Sequence, residues 1–335
     1  MKHGGGVHSG GRPGNGNVEV CRLPQLLHRF VMVDGPPRAG KSTLCRIIAS
    51  FENAELERIE EIYDYVGFLF GLGKLDRDAA IALLRAFADI HIYNLYLSRN
   101  VNCRIGDQSS IFKSPSPLRY IRRMFAGEHD ETTQAILAEN PIMQQHAHYQ
   151  MEHIGIHFDA FPETLKVIEV LRHPIDLVMA YDDRGYGGNI CESLYNVHLC
   201  VRYQTTAVHL LANGWQDDFL AMRPFDRVIR MLHGYQLRSF DTYRALPAQR
   251  RERVLVAVFE DVVSNPSREA ERIAAFLGTV ATRKTRKVVS RTDWPAQRSG
   301  DGRDRKYARL KQNCTPQNLG LLDEMIANYE SRWAC

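Results

Sequence analysis

The sequence predicts an α/β protein, a central parallel sheet with helices on both faces, and three observations predict it. Short apolar runs at 30–33 (FVMV), 166–171 (KVIEVL) and 254–259 (VLVAVF) have the length and near-continuous hydrophobicity of parallel strands buried on both sides. Stretches with apolar residues at helical spacing separate them. The first run passes through Gly35-Pro36-Pro37-Arg38-Ala39-Gly40-Lys41-Ser42 into Thr43 and an apolar helix start at Leu44. That strand, loop and helix fit the phosphate-loop pattern G-x-x-x-x-G-K-[ST], which makes the expected architecture a three-layer P-loop-like fold.

The loop carries its own chemistry. Gly35 and Gly40 let the backbone come close to a phosphate, successive N–H groups can point inward, and the helix N-terminus adds positive potential. Arg38 and Lys41 add full charges. An anionic phosphate ligand follows.

Beyond the loop, residues 54–65 (AELERIEEIYDY) carry five acidic side chains ahead of an apolar stretch at 66–70. Residues 78–97 read as a helix through Ile81, Leu84, Phe87 and Ile90. Residues 103–117 read as a short strand and a loop that ends in Lys113-Ser114-Pro115. Residues 118–160, rich in His, Gln and Met, are expected to be an inserted helical segment capping a cleft. Of their histidines only His153 and His157 have one-face helical spacing, and no H-E-x-x-H frame is present, so no metal site is expected.

The strand at 166–171 ends in Arg172-His173-Pro174 and leads into a helix near 175–181. A further helix is expected within 219–245. The strand at 254–259 ends in Glu260-Asp261, after which Asn265 as N-cap and Pro266 as first helical residue open a helix that Gly278 stops. A basic segment and a last helix at 316–332 complete the chain.

Composition narrows the class. The chain has 335 residues, 44% hydrophobic and 24% charged, enough for one large α/β domain, expected over 18–335 after a disordered Gly/His-rich tail at 1–17. A net charge of +4 permits anionic ligands without the concentrated basic face that nucleic acid needs. No apolar run approaches the roughly 18–20 residues of a membrane span. Seven widely spaced cysteines without C-x-x-C argue against a disulfide framework and for a reducing, cytoplasmic setting.

Taken in order over about residues 30–280, these motifs resemble the sulfotransferases that use 3′-phosphoadenosine-5′-phosphosulfate (PAPS). Gly35 to Ser42 is similar to the family's phosphosulfate loop, with its basic residue at Arg38. The strand ending Arg172-His173-Pro174 is similar to the Arg-x-Pro motif that binds the 3′-phosphate. Phe259-Glu260-Asp261 through Asn265-Pro266 to Phe276-Leu277-Gly278 matches the family's third motif. The resemblance implies PAPS as donor, no metal, and in-line sulfuryl transfer to a hydroxyl acceptor of unspecified class. It places Gly35, Pro37, Arg38, Ala39, Gly40, Lys41, Ser42, Thr43 and Arg172 on the cofactor. It implies a base at Glu60 or Glu61, with Glu61 preferred, and an electrostatic helper at Lys113 for the leaving phosphate oxygen.

Two positions depart from the pattern. Ala180 stands where the family expects a serine, so the hydroxyl contact to the 3′-phosphate is missing unless Tyr181 or the turn at Arg184 supplies it. Lys41 stands where a threonine is usual, and Lys41–Ser42 is what a kinase using ATP and Mg²⁺ requires, with Asp107, Glu169 or Glu260 to hold the metal. A non-catalytic binding module is the third reading. The segment 298–306 is similar to a basic nucleotide-binding loop near the family's C-terminus. Oligomeric state is not encoded in any motif.

Overall fold

The computed structural model describes residues 18–331 apart from 108, 195, 293 and 295–300. The tail expected at 1–17 lies outside them, as do residues 298–300 of the basic segment.

The strands are β1 (Phe30–Asp34), β2 (Ala54–Arg58), β3 (Ile142–His146), β4 (Leu165–Leu171), β5 (Cys200–Tyr203), β6 (Thr206–His209) and β7 (Val254–Val258). Five of them form one sheet in the order β2-β3-β1-β4-β7, every neighbouring pair parallel, and β5–β6 is a separate antiparallel hairpin. Side chains alternate between two apolar layers. Phe30, Met32, Met143 and Val167 face the helices Ile62–Gly71, Arg77–Tyr96 and Ile154–Ala160. Val31, Val33, Ile142 and Ile168 face Lys41–Ile48, Pro266–Leu277 and Arg283–Arg291. This is the expected three-layer α/β arrangement. Its strands all end at one edge, where ligands of such sheets bind.

The expected helical insert at 118–160 is corrected by β3, which lies between β1 and β2 at the heart of the sheet. Its sequence, IMQQH, hides it, because two fully buried glutamines stand where apolar residues belong. Their amide nitrogens are satisfied internally: Gln144 Nε2 donates to the carbonyls of Cys45 (3.0 Å) and Glu55 (2.8 Å), and Gln145 Nε2 to those of Glu60 and His146 (both 3.0 Å). The strand expected near 103 is absent among the described residues, where a loop ends in a 3-10 turn at Ile111–Lys113.

Cys191 and Cys200 form a disulfide with a Cα–Cα separation of 6.2 Å, which overturns the expectation drawn from cysteine spacing. The short helical turn at Ile190–Glu192 and the start of the hairpin bring them together, a local juxtaposition that spacing does not encode. Among the described residues no helix is long and apolar enough to cross a membrane.

Candidate active site at the phosphate loop

The loop after β1 has the backbone its sequence demands. Gly35 has φ +130°, and a Cβ there would lie 2.7 Å from the Val170 carbonyl oxygen. Gly40 has φ +105°, and a Cβ would enter the Phe259 ring at 2.2 Å. Arg38, exposed at the crest, also has positive φ (67°), a backbone strain tolerated at functional turns. Ala39 is buried in the apolar layer beneath, Pro37 and Thr43 are half-buried, and Ser42 is exposed in the first turn of Lys41–Ile48. Thr43 N and Leu44 N already donate to the Gly40 carbonyl (3.1 and 3.4 Å), which leaves the Lys41 and Ser42 amides as the leading N–H groups a helix start can offer to an anion.

Lys41 folds back into the loop. Its Nζ donates to the carbonyls of Gly35 and Pro36, both at 2.7 Å, and the residue is only 2% exposed. Burial pulls its pKa down to about 8, against the opposing pull of Asp34, Asp64 and Glu169. Asp34 and Glu169 pair in register across β1 and β4 beneath it, and burial raises both carboxyls.

Arg172, at the end of β4, reaches the same loop: its guanidinium donates to the Arg38 carbonyl at 2.5 Å and stands over the Phe259 ring at 5.4 Å. Burial lowers its pKa, Arg38 and Arg303 push it the same way, and Asp176 and Glu260 oppose. Its Nε is buried and has no partner among the described residues. The basic segment supplies Arg303 and Lys306 from the helix Asp301–Asn313. Arg303 Nε is 2.9 Å from Asp176, which Lys306 also grips, so this stretch is a helix docked on Pro174–Asp182. The cationic mouth and the glycine cradle fit a ligand carrying more than one phosphate-like group.

A second group at this edge was missed from the sequence. Just past β3 the chain turns at Tyr149, whose φ is 60°. His148 is held by Asp64, with its backbone N–H 3.1 Å from Oδ1 and its Nδ1 3.2 Å from Oδ2. Behind it, buried Gln150 donates to the His148 carbonyl at 2.8 Å and pairs with His157 at 3.2 Å. The His148 ring stacks on His146 (5.0 Å) and meets His198 edge-on (6.1 Å). Burial, then the charge of Lys41, holds its pKa well below the ordinary histidine value, so the ring is neutral at pH 7 with its second nitrogen free to accept a proton, though a weaker base than a free imidazole. A histidine oriented through Nδ1 by a buried carboxylate is the arrangement of a general base. The only sequence signal was its place in the His-rich stretch.

Next to it lies a cavity of about 420 Å³ lined by Pro37 of the loop, Tyr149, Tyr181, Tyr186, His198 and His209. The Tyr181 hydroxyl is 2.6 Å from that of Tyr149, so it is committed there, and Arg184 lines the cavity. Glu61 sits at the start of Ile62–Gly71, close enough to His198 to raise its pKa against the lowering by burial. Glu60 turns away to Arg58 and lies 3.7 Å from His91. Lys113 is exposed and donates to Gly106 at 2.8 Å within its own loop; the strand end expected to carry it belongs instead to β3.

No family model matches the chain, and no curated protein is significantly similar to it. Solved structures are. The sulfotransferase domain from the Synechococcus PCC 7002 olefin synthase is 13% identical with a TM-score of 0.44, over 91% of this chain and 96% of that one. The sulfotransferase domain from the curacin biosynthetic pathway is 12% identical with a TM-score of 0.44, over 89% and 98%. A sulfotransferase from Alicyclobacillus acidocaldarius is 14% identical with a TM-score of 0.38, over 90% and 97%. Likenesses this distant carry no conclusion about the chemistry of this chain.

Proposed function

We propose that this chain is a sulfotransferase that moves a sulfuryl group from PAPS to a hydroxyl acceptor. The observation that carries the reading is the meeting of Arg172 with the phosphate loop at Arg38, which supports two anion positions in one mouth. The loop amides, Arg38, Lys41, Ser42 and Thr43 would hold the 5′ end of the nucleotide. Arg172, with Arg303 beside it, would hold the 3′-phosphate. The donor, when bound, supplies an activated sulfuryl group. The chain's own contribution is to hold that end rigid, offset its charge and take a proton from the acceptor oxygen.

His148, backed by Asp64, is the better placed base; Glu61 acts electrostatically on His198, which lines the cavity, and can help to orient the acceptor through it. Lys113 has no role here unless its loop moves. The cavity beside Pro37 is where the acceptor would lie.

The ATP and Mg²⁺ reading rests on Lys41–Ser42 and finds less support. Glu169 is packed beneath the loop against Tyr235 (3.3 Å), Glu260 accepts from His173 N (3.0 Å) and Tyr329 (2.7 Å), and Asp107 accepts from Asn102 (3.0 Å) in a distant loop. The test is release of 3′-phosphoadenosine-5′-phosphate from PAPS with a panel of hydroxyl acceptors. The reading expects acceptor-stimulated release that Arg172→Ala reduces at least tenfold. Release unaffected by that substitution would remove the assignment of the 3′-phosphate.

A further inference from the structure

Behind the phosphate loop, on the sheet face covered by the helix Lys41–Ile48, three metal-binding side chains converge from three elements. Cys45 lies one helical turn after Lys41, Glu57 comes from β2, and His146 ends β3. Their donor atoms all lie within 4.8 Å of one another. His146 Nδ1 is 3.4 Å from Glu57 Oε2, with side chains only 8% and 9% exposed. Both atoms are buried without a hydrogen-bond partner among the described residues. The two face each other at ion-pair distance without a well-formed hydrogen bond, and an ion between them would engage both.

We propose that Cys45, Glu57 and His146 form a binding site for one zinc ion. The donor set of one thiolate, one imidazole and one carboxylate suits zinc, and bonds of about 2.0–2.3 Å place tetrahedral ligands roughly 3.3–3.8 Å apart, a small contraction of the present cluster. The scaffold is already fixed: Gln144, between the three elements, donates to the Cys45 carbonyl at 3.0 Å and the Glu55 carbonyl at 2.8 Å. Three protein ligands leave one position for a water. The ion lies next to the ring stack that joins His146 to His148, and its charge is balanced by the thiolate and the carboxylate. Coordination by a thiol displaces its proton, so loading releases one. The site stands independently of the sulfotransferase reading.

The experiment uses the full chain, prepared without a histidine tag, stripped with chelator and titrated with Zn²⁺ and separately with Co²⁺. The expected result is one zinc per chain and a near-ultraviolet thiolate-to-cobalt band. Cys45→Ser should abolish the band, and Glu57→Gln and His146→Asn should each weaken zinc binding at least tenfold. A variant with His3 and His8 replaced by alanine should bind as the parent does. The conservative Glu57→Gln variant keeps the test informative if Cys45→Ser does not fold. Absence of stoichiometric zinc, or a cobalt band that survives loss of Cys45, overturns the site.

Discussion

His148 is fastened to Asp64 at its backbone and at its ring, which leaves its other ring nitrogen for a substrate proton. General-base assistance is typically worth about 10²–10⁴-fold, so His148→Gln should lower kcat by that range and leave nucleotide affinity within about twofold. Because burial and Lys41 depress its pKa, the ring stays neutral through the usual histidine range. The acid limb of kcat/KM should therefore fall below pH 6.5 and disappear in the glutamine variant. Lys41 titrates in the opposite window. Its pKa of about 8 means that the free protein loses this charge in mild alkali, so nucleotide affinity should fall as pH rises through 8. Titration calorimetry between pH 7 and 9 measures this, and a flat profile would show that the ammonium does not face the anion.

At the scale of the element, the turn between β1 and its helix depends on a contact with the next motif. Gly40 lies against Phe259, the first residue of the helix after β7, so the phosphate loop and the third motif are packed on each other. Gly40→Ala should cost about 1–3 kcal/mol in urea denaturation and abolish nucleotide binding, because backbone and ring must both move. Gly278 is the comparison. It has φ +68° with open space around it, so Gly278→Ala should cost about 1 kcal/mol and leave binding intact.

Elements also differ in how openly the sequence declares them. β1, β4 and β7 are legible because apolar residues dominate both of their faces. The helix Pro266–Leu277 is legible because its ends are written in Asn265, Pro266 and Gly278. β3 and β2 are not, because their cores are polar. Glu55 is buried yet bonded to Arg119, Tyr120 and Arg123, a satisfaction that depends on residues more than sixty positions away. The site divides the same way. The phosphate loop and Arg172 are local motifs. The His148–Asp64 pair spans 84 positions, and only the placing of β3 beside β1 makes it visible.

The whole molecule carries an acid-labile interior. Half-buried His153 and buried His209 have pKa values near 4, and buried His157 near 3, each lowered first by desolvation. An unfolded chain binds protons on these rings below about pH 6.5 while the folded one does not, so stability should fall steadily from pH 6.5 to pH 4. The melting temperature should track that window, and His157→Gln should flatten it. A stability constant across the window would mean that these rings reach solvent.

The central claim concerns what the mouth between the phosphate loop and Arg172 is shaped to hold. The most direct test is a thermal-shift comparison of 3′-phosphoadenosine-5′-phosphate with ATP, each with and without Mg²⁺. A ligand at 100 times its Kd stabilises by about 2.7 kcal/mol, a clear rise in melting temperature. The account predicts that rise with the 3′-phosphorylated nucleotide, unchanged by Mg²⁺ and lost in Arg172→Ala. A rise only with ATP and Mg²⁺ would contradict it and make the chain a kinase-like protein.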